Sequence, residues 1–556
     1  ASPEPPVRFN VNVQGLVGVI DRTQGAAGAE NPALTLNLNS QVVKEKQPLP
    51  PADKETLDRV FLNDLVAVEA DRIGRNFLFV SRGGNYVLRA SLDATGKLNI
   101  LDGSAQPKAQ RLQTGNMPTG VVMSSDAKRA YANNEINTSV TALDLEHNVV
   151  LKRDIDSSTP PAPGSQEHRN LVGKLVFFTA LGVPDVLDTT NDGQFDVALR
   201  DIDPLKNRGK ASDNGWSSCS SCHDDGHSDN VTWIFETGPR QTIPLEGMFT
   251  HDVPDVAGRL LDQRVLNWSA VRGSNTDFNA NSIGIQGGKG FATETQTGDH
   301  TAFVFNHGPI FGVSDSLDAL QEWVTTVRAP IVPQLANPAA GRAVFEEHCS
   351  SCHGGAKWTK SQTLPLFERQ PATNSGLLAM FPQNPIGVGF FDVGGVKPFD
   401  ADVAVNGPQL LSINGAQGAL KLLDDVGTFT AANAPGGELE IRGAAAVGTK
   451  DTTPGVQSTQ GFGAFGVAGF NSPSLLGLSL SAPYLHDGSA QTLEAVAGRH
   501  KITSPDGQGG MITATIAETL TQQELTDVLN FVRTIEDDTP KFESDTDAFI
   551  LENPAP

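Results

Sequence analysis

The sequence predicts a multi-domain protein with a β-rich N-terminal domain followed by two mainly α-helical domains with long loops. The expected domains are residues 1–165, 166–335 and 336–556 of the 556-residue chain, in keeping with ordinary domain sizes. Alternating apolar and polar residues predict short strands in the first domain. The motif Cys-x-x-Cys-His occurs once in each of the other two domains, downstream of an amphipathic helical pattern. A Pro-rich polar stretch, residues 159–166, predicts a linker.

Two strand-rich runs define the N-terminal domain. One starts at Asn76 and the other at Pro118, and Gly-Gly, Ser-Asp and Asn-Asn turns interrupt both. The second run resembles one blade of a YVTN-type β-propeller, at residues 118, 120, 125–126, 130–131 and 144–145. Since about 165 residues are too few for a full ring of blades, we expect two or three blade-like sheets that dock on or shield the other domains.

Two five-residue stretches, Cys219–His223 and Cys349–His353, carry the clearest chemical signal. Both read Cys-Ser-Ser-Cys-His, the attachment pattern of a c-type haem. Two thiols three residues apart can form thioethers with both vinyl groups of one porphyrin, and the next residue then lies under the iron as its proximal ligand. We therefore expect two covalent haems, held by Cys219, Cys222 and His223 and by Cys349, Cys352 and His353.

A zinc knuckle and a redox dithiol are the alternatives to haem attachment. A zinc site would need the second pair of ligands nearby, whereas the two motifs start at residues 219 and 349. A dithiol site has no use for a histidine at the fifth position. The motifs contain all four cysteines of the chain, so no cysteine is left for a disulfide elsewhere.

Helical patterns precede both motifs. Leu171, Leu175 and Phe178 recur on one face of the first helix, which residues 181–215 separate from the first motif. The second helix starts at Pro338, after Asn337 as its cap, and runs directly into the second motif.

A last helix is predicted by the capping box of Thr521 and Glu524, followed by an apolar face. The helix before the first motif, with Gly173 and Phe178, resembles the first helix of cytochrome c folds. In those folds, a helix like the last one packs across the helix that precedes the haem motif. We therefore expect two cytochrome c-like haem domains with long loops.

Charge and hydropathy exclude some function classes. The net charge is −23, which argues against nucleic-acid binding because such binding needs a basic face. The sequence contains no run of 18 apolar residues, so it predicts no membrane-spanning helix. The chain starts Ala-Ser-Pro-Glu, without Met or an apolar signal core, as expected of an exported protein whose signal peptide has been removed. We expect a periplasmic, cell-surface or secreted location.

The order of the motifs resembles the bacterial dihaem cytochrome c peroxidase superfamily, which includes the dihaem enzymes that mature methylamine dehydrogenase. The resemblance covers about residues 165–540. Besides both haem motifs, it rests on the runs Asn-Ser-Pro-Ser-Leu-Leu-Gly-Leu, residues 471–478, and Pro-Tyr-Leu-His-Asp-Gly-Ser, residues 483–489. Thr492, Leu493 and Glu494 follow the second run.

The resemblance implies that chemistry takes place at the first haem and that electrons enter at the second. Trp268 matches the tryptophan between the haems. His500, fourteen residues after His486, matches the far-side ligand of the second haem, where the peroxidases place Met and the maturation enzymes Tyr. Two alternatives stay open: Met511 is the ligand, or His500 lies at the surface and binds no iron. We expect His353 and His500 to share one iron.

At the first haem the sequence departs from the family. Pro239 stands where resting peroxidases carry a far-side His, which leaves His227 and His251 as candidates. The acidic residue expected above this haem would be Asp277 or Glu294, although neither lies in a copy of the family's acid motif. Peroxide reduction, an oxidase or oxygenase reaction, and electron transfer without catalysis therefore stay open.

Two further expectations rest on the resemblance. His486 would form hydrogen bonds around the first haem without binding its iron. The main-chain carbonyls of Ser481 and Pro483 match positions that hold calcium between the domains. The sequence thus predicts an exported dihaem c-type cytochrome that reduces peroxide, with a small cytochrome c or cupredoxin as electron donor. The acidic surface predicts a donor that is basic or dipolar.

Overall fold

The N-terminal part of the chain is built from antiparallel strands and begins with two short pairs. The computed structural model describes residues 13–21, 28–45, 60–235, 238–254, 262–268, 275–292, 314–331, 338–361, 410–412, 419–421, 423–430, 469–505 and 509–544. The first strands and helix are β1 (Leu16–Val17), β2 (Ile20–Asp21), β3 (Ala29–Glu30), β4 (Leu36–Asn37) and α1 (Leu38–Val42). Strand β1 pairs with β4, and β2 pairs with β3.

Two larger antiparallel sheets follow. The strands of the first are β5 (Leu65–Ala70), β6 (Asn76–Ser81), β7 (Tyr86–Leu92), β8 (Leu98–Asn99) and β9 (Gln110–Gln113). Its order is β5-β6-β7-β8, and β9 also pairs with β7. The strands of the second, in the order of the chain, are β10 (Pro118–Met123), β11 (Arg129–Asn134), β12 (Ser139–Asp144) and β13 (Val149–Asp156). Both runs predicted to be strand-rich thus form strands.

The two sheets share a core because side chains alternate across each strand. Leu78 and Val80 of β6 pack in one cluster with Ala130 and Ala132 of β11. Phe79, which points to the opposite face of β6, belongs to a separate cluster with residues of α1. The first sheet is therefore buried on both faces.

The rest of the described chain is not mainly helical, and the prediction of two mainly α, cytochrome c-like domains is wrong. Its helices are α2 (Gln166–Phe178), α3 (Asn279–Gly284), α4 (Asp315–Val324), α5 (Pro338–His348), α6 (Ser350–His353), α7 (Leu493–Ala497), α8 (Ile516–Thr519) and α9 (Gln522–Val532). The longest, α2, has 13 residues. The remaining strands form four antiparallel pairs, each of two strands consecutive in this order: β14 (Thr232–Phe235), β15 (Gly238–Gln241), β16 (Leu410–Ser412), β17 (Ala419–Lys421), β18 (Leu423–Asp424), β19 (Phe470–Asn471), β20 (Lys501–Pro505) and β21 (Met511–Thr515).

Turn chemistry explains why helices stay short here. Asn191, Asn214 and Asp225 have φ values of 57°, 59° and 49°, a left-handed conformation that cannot continue a right-handed helix. Helical periodicity detects the amphipathic segments correctly, but it does not detect how much loop lies between them. The capping box at Thr521 and Glu524 is confirmed, while Asn337 lies outside the described residues.

The helices before the two motifs pack in the same way. A Cβ built on Gly173 of α2 would overlap the carbonyl oxygen of Ala319 in α4 and lie 2.7 Å from Cβ of Trp323. A Cβ built on Gly341 of α5 would overlap the backbone of α9 and lie 2.7 Å from Cβ of Phe531. Each pair therefore needs a glycine at its closest approach. Within the described part of the chain, no helix is long and apolar enough to cross a membrane, as predicted.

Candidate functional site

The second motif is placed by the helix pair α5–α9. Helix α5 ends at His348, and α6 then carries the motif to His353, whose backbone N–H donates to the carbonyl of Cys349 (2.9 Å). Nδ1 of His353 lies 3.2 Å from the carbonyl oxygen of Pro473. A donor bond from Nδ1 to a backbone carbonyl leaves Nε2 unprotonated, which is the form that binds a metal ion.

The ring of His500 faces His353, although 146 residues separate the two in the chain. Their ring centroids are 6.3 Å apart, with an angle of 51° between the ring planes. Two imidazoles bound to opposite sides of one metal ion have centroids about 6.4 Å apart, given a metal–nitrogen bond of about 2.0 Å. The alternative ligand, Met511, is 65% exposed and lies in the β20–β21 hairpin.

Burial keeps the groups of the second site uncharged. It lowers the pKa of His353 to about 3, with the nearby His500 as a further cause, and it lowers the pKa of His500. It also raises the pKa of the Cys349 thiol to about 12. Neutral imidazoles suit iron. A reactive dithiol instead needs a thiolate with a low pKa, which burial of Cys349 disfavours.

The first motif lies in irregular structure against the first N-terminal sheet. Its cysteines start and follow a 3-10 turn, Cys219–Ser221. Asn63, just before β5, donates to Oγ of Ser221 (2.9 Å), and Arg82, just after β6, forms an ion pair with Asp225 (2.8 Å). The N-terminal sheets thus dock directly on the loop that carries this motif. Met117 and Ile136 belong to the hydrophobic core cluster that packs against Cys219.

Apolar surroundings also enclose the first motif. Cys219 packs against the core cluster around α2, and Cys222 packs against a second cluster built on Trp216 and Trp233. Burial raises the pKa of Cys219 to about 11. It lowers the pKa of His223 to about 4, against the opposing effect of the Ile243 backbone. Nδ1 of His223 is buried without a hydrogen bond of good geometry. These residues fit a covalent haem as well as those of the second motif do.

Trp268 and His486 come together with Phe470 in an aromatic cluster. The ring of His486, which is 1% exposed, stacks on Phe470 at 3.8 Å between centroids. The ring centroid of Trp268 lies 6.3 Å from that of His486 and 6.5 Å from that of Phe470. Burial, followed by the charge of Arg240, lowers the pKa of His486 to about 3. Trp268 and His486, both predicted to lie near the haem sites, therefore pack in one cluster.

Trp268 forms hydrogen bonds with the two segments that contact the motif histidines. Its Nε1–H donates to the carbonyl of Gln241 (2.9 Å), two residues before Ile243. Its own carbonyl accepts from the backbone N–H of Asn471 (2.7 Å), two residues before the Pro473 carbonyl that contacts His353. Trp268 thus lies between the segments that contact the two motif histidines.

The two histidines considered as far-side ligands of the first site are engaged elsewhere. Nδ1 of His251 lies 2.5 Å from Asp537, and Nδ1 of His227 lies 3.2 Å from Oε1 of Glu246. Glu246, which is 1% exposed, is the residue that sequence reasoning missed. Burial raises its pKa, its Oε2 makes no hydrogen bond, and its carboxylate packs on the backbone of Gly477. No periodicity or motif marks it in the sequence.

The other predicted site residues are not brought to this cluster by the described structure. Glu294 lies outside the described residues, as does the side chain of Asp277 within its 3-10 turn. Oγ of Ser481 donates to the carbonyl of Gly477 (3.0 Å), and the peptide bond before Pro483 is cis. The described residues contain no group of three or more His, Cys, Asp or Glu side chains that could hold a metal ion. Calcium on main-chain carbonyls stays a prediction.

Comparison with known proteins identifies no family. No family model and no curated protein matches the chain. A chain of Kuenenia stuttgartiensis hydrazine synthase pressurized with xenon is similar with 17% identity and a TM-score of 0.27, over 59% of this chain and 83% of that one. Another chain of that enzyme has 17% identity and a TM-score of 0.14, over 18% of this chain and 26% of that one. A putative 6-phosphogluconolactonase from Bacteroides fragilis has 19% identity and a TM-score of 0.17, over 25% and 38%.

This chain therefore spans only 26% and 38% of the length of the last two proteins. All three TM-scores are too low for a shared fold. These similarities establish neither fold nor function.

Proposed function

We propose that the chain is a dihaem c-type redox protein that takes electrons in at its second motif and reduces peroxide at its first, as the bacterial dihaem cytochrome c peroxidases do. One observation carries the proposal. The rings of His353 and His500 face each other with centroids 6.3 Å apart, beside Cys349 and Cys352. The resemblance predicts His500 as the far-side ligand of the second haem from its position fourteen residues after His486, and in the fold its ring lies close to that of the motif histidine.

The residues around each motif explain why one site would reduce peroxide and the other would only transfer electrons. When bound, a haem at the first site would supply the iron at which the O–O bond of peroxide is broken, with two electrons and two protons consumed and two waters formed. His353 and His500 would close both faces of the second site, leaving it to electron transfer. His227 and His251, held by carboxylates, would leave the first site accessible. This arrangement favours a substrate-binding site over electron transfer alone.

Trp268 is proposed to carry electrons between the two sites. Its ring is half-buried, and its hydrogen bonds to Gln241 and Asn471 hold it between the two motif segments. Stacked Phe470 and His486 pack against its edges. These contacts fix the indole orientation, which electron transfer over a short distance requires.

Glu246 is proposed to hold a proton for the reaction, the part that the resemblance assigned to Asp277 or Glu294. A general acid must keep its proton near neutral pH, and burial raises carboxyl pKa values toward that range. The pKa of Glu246 is raised for this reason, against the opposing hydrogen bond from His227. Oε2 can carry the proton, because it makes no other hydrogen bond.

The proposed electron donor is a small basic or dipolar cytochrome c or cupredoxin, in the periplasm or at the cell surface. The net charge of −23 would steer such a donor toward the protein. Ionic strength screens this attraction beyond about 8 Å at 0.15 M. The association rate should therefore fall as salt rises, and a rate independent of salt would contradict this part of the proposal.

Low-temperature EPR of the oxidised and half-reduced protein tests the proposal. We expect one haem to be high-spin, or to become so on half-reduction, and to react with peroxide while a reduced donor is consumed. Turnover with oxygen in place of peroxide would indicate an oxidase or oxygenase. Two haems that stay low-spin throughout would identify an electron-transfer protein and overturn the catalytic part.

A further inference from the structure

Arg264 is a buried cation without a carboxylate partner. Its exposure is 2%, its Nη2 donates to the carbonyl of Ser472 (3.3 Å), and its Nε makes no hydrogen bond. Burial lowers its pKa to about 10, and no acidic group opposes that effect. Its guanidinium therefore keeps donor capacity that the described protein atoms do not use.

The other two cations that are buried among the described residues, Lys357 and Lys360, pair with Asp262 and Asp424. Several half-buried arginines are also paired, as in Arg111–Glu45, Arg82–Asp64 and Arg169–Glu322. The chain has 64 acidic and 41 basic side chains, so a protein carboxylate for Arg264 is not scarce. Because an unpaired buried charge is strongly unfavourable, Arg264 is expected to bind an anion that the described protein residues do not supply.

The position of Arg264 indicates which anion this is. Ser472, whose carbonyl accepts from Arg264, directly precedes Pro473, whose carbonyl contacts Nδ1 of His353 (3.2 Å). Arg264 is also four residues before Trp268. The guanidinium is thus hydrogen-bonded to the segment that contacts the motif histidine.

We infer that Arg264 binds a carboxylate of the haem at the second site. The inference rests on the proposed function. A haem carries two carboxylates at one edge, and a guanidinium can bind a carboxylate through two parallel hydrogen bonds. Arg264 is a positioning residue: it fixes the haem and keeps the carboxylate ionised.

Potentiometric titration of the haem-loaded protein, followed optically over a range of pH, tests the inference. In R264Q the haem carboxylate loses its partner, and the uncompensated negative charge stabilises the oxidised haem. We expect the reduction equilibrium of the second haem to shift at least tenfold toward the oxidised form, equivalent to about 59 mV for a one-electron couple. We also expect a new rise of the potential toward acidic pH, as the unpaired carboxylate takes up a proton.

Two further variants make the result specific. R264K keeps the charge but loses the planar fork, so it should shift the potential of the second haem in the same direction as R264Q, by a smaller but measurable amount. R169Q removes a half-buried arginine on α2 that pairs with Glu322 and should leave the second haem unchanged. If R264Q does not fold, R264K carries the test, since a point charge without the planar fork should still shift the potential measurably.

Each outcome decides between two separate claims. A haem-loaded R264Q with the wild-type potential and pH profile would overturn the inference and leave the proposed function standing. An unchanged R264K alongside an unfolded R264Q would overturn it as well. A chain that carries no haem after expression with c-type haem maturation would overturn both claims.

Discussion

Replacing His500 by alanine removes the feature on which the second site depends most. The centroids of His353 and His500 are 6.3 Å apart. An imidazole nitrogen lies about 1.2 Å from its ring centroid, and a metal–imidazole bond is about 2.0 Å long, so two rings sharing one iron require about 6.4 Å. The observed centroid distance of 6.3 Å is close to this value.

H500A should therefore abolish the second bond completely, because a methyl group cannot reach across the missing ring. We expect one haem per chain to change from six-coordinate low-spin to five-coordinate high-spin, read by low-temperature EPR and the Soret band. Free imidazole should restore the low-spin signal, since the substitution leaves a cavity of the size of the ring.

H147A is the matched control. The His147 side chain is 70% exposed and pairs with Asp144 at the surface, so its loss should change neither signal. A low-spin second haem that persists in H500A would refute the assignment of this ligand. An unaltered spectrum in both variants would have the same meaning.

Three further substitutions test neighbouring parts of the structure. W268F should keep both haems but slow electron transfer between them by about tenfold or more, a barrier increase of at least about 1.4 kcal/mol, measured by stopped-flow reduction. The hydrogen bond to Glu246 raises the pKa of His227. That stabilisation is present below pH ~6.5 and lost as pH rises through the folded pKa, so H227Q should abolish this part of the pH dependence in urea unfolding. G341A should lower the free energy of unfolding by about 1–3 kcal/mol, because the new methyl group forces α5 and α9 apart. G120A is the control, since no atom lies within 4 Å of its new Cβ. Equal losses of stability in both variants would contradict the close packing of α5 and α9.

The sequence predicts local features well where one segment contains the whole signal. The helix starting at Pro338 and the capping box at Thr521 depend on residues within one turn of each other, and both occur. The amount of helix in each domain was not predictable in this way. Left-handed residues such as Asn214 and Asp225 end regular structure, and long Gly-rich stretches give no periodicity to read.

The candidate sites divide in the same way. Both Cys-x-x-Cys-His motifs are visible at once because five adjacent residues define each. His500 was found only by counting from His486, since its partner His353 is 147 positions away. Glu246 and Arg264 were not found, because burial and the absence of a partner arise from tertiary packing and leave no mark on the neighbouring residues.

The intact mass of the denatured protein tests most directly whether the chain binds two haems covalently. The protein should be expressed in a host that attaches c-type haem, because the thioether bonds survive unfolding. We expect the polypeptide mass plus two haems in the wild type, and plus one haem when both Cys349 and Cys352 are replaced by alanine. An unmodified polypeptide mass from such a host would contradict the assignment of both motifs.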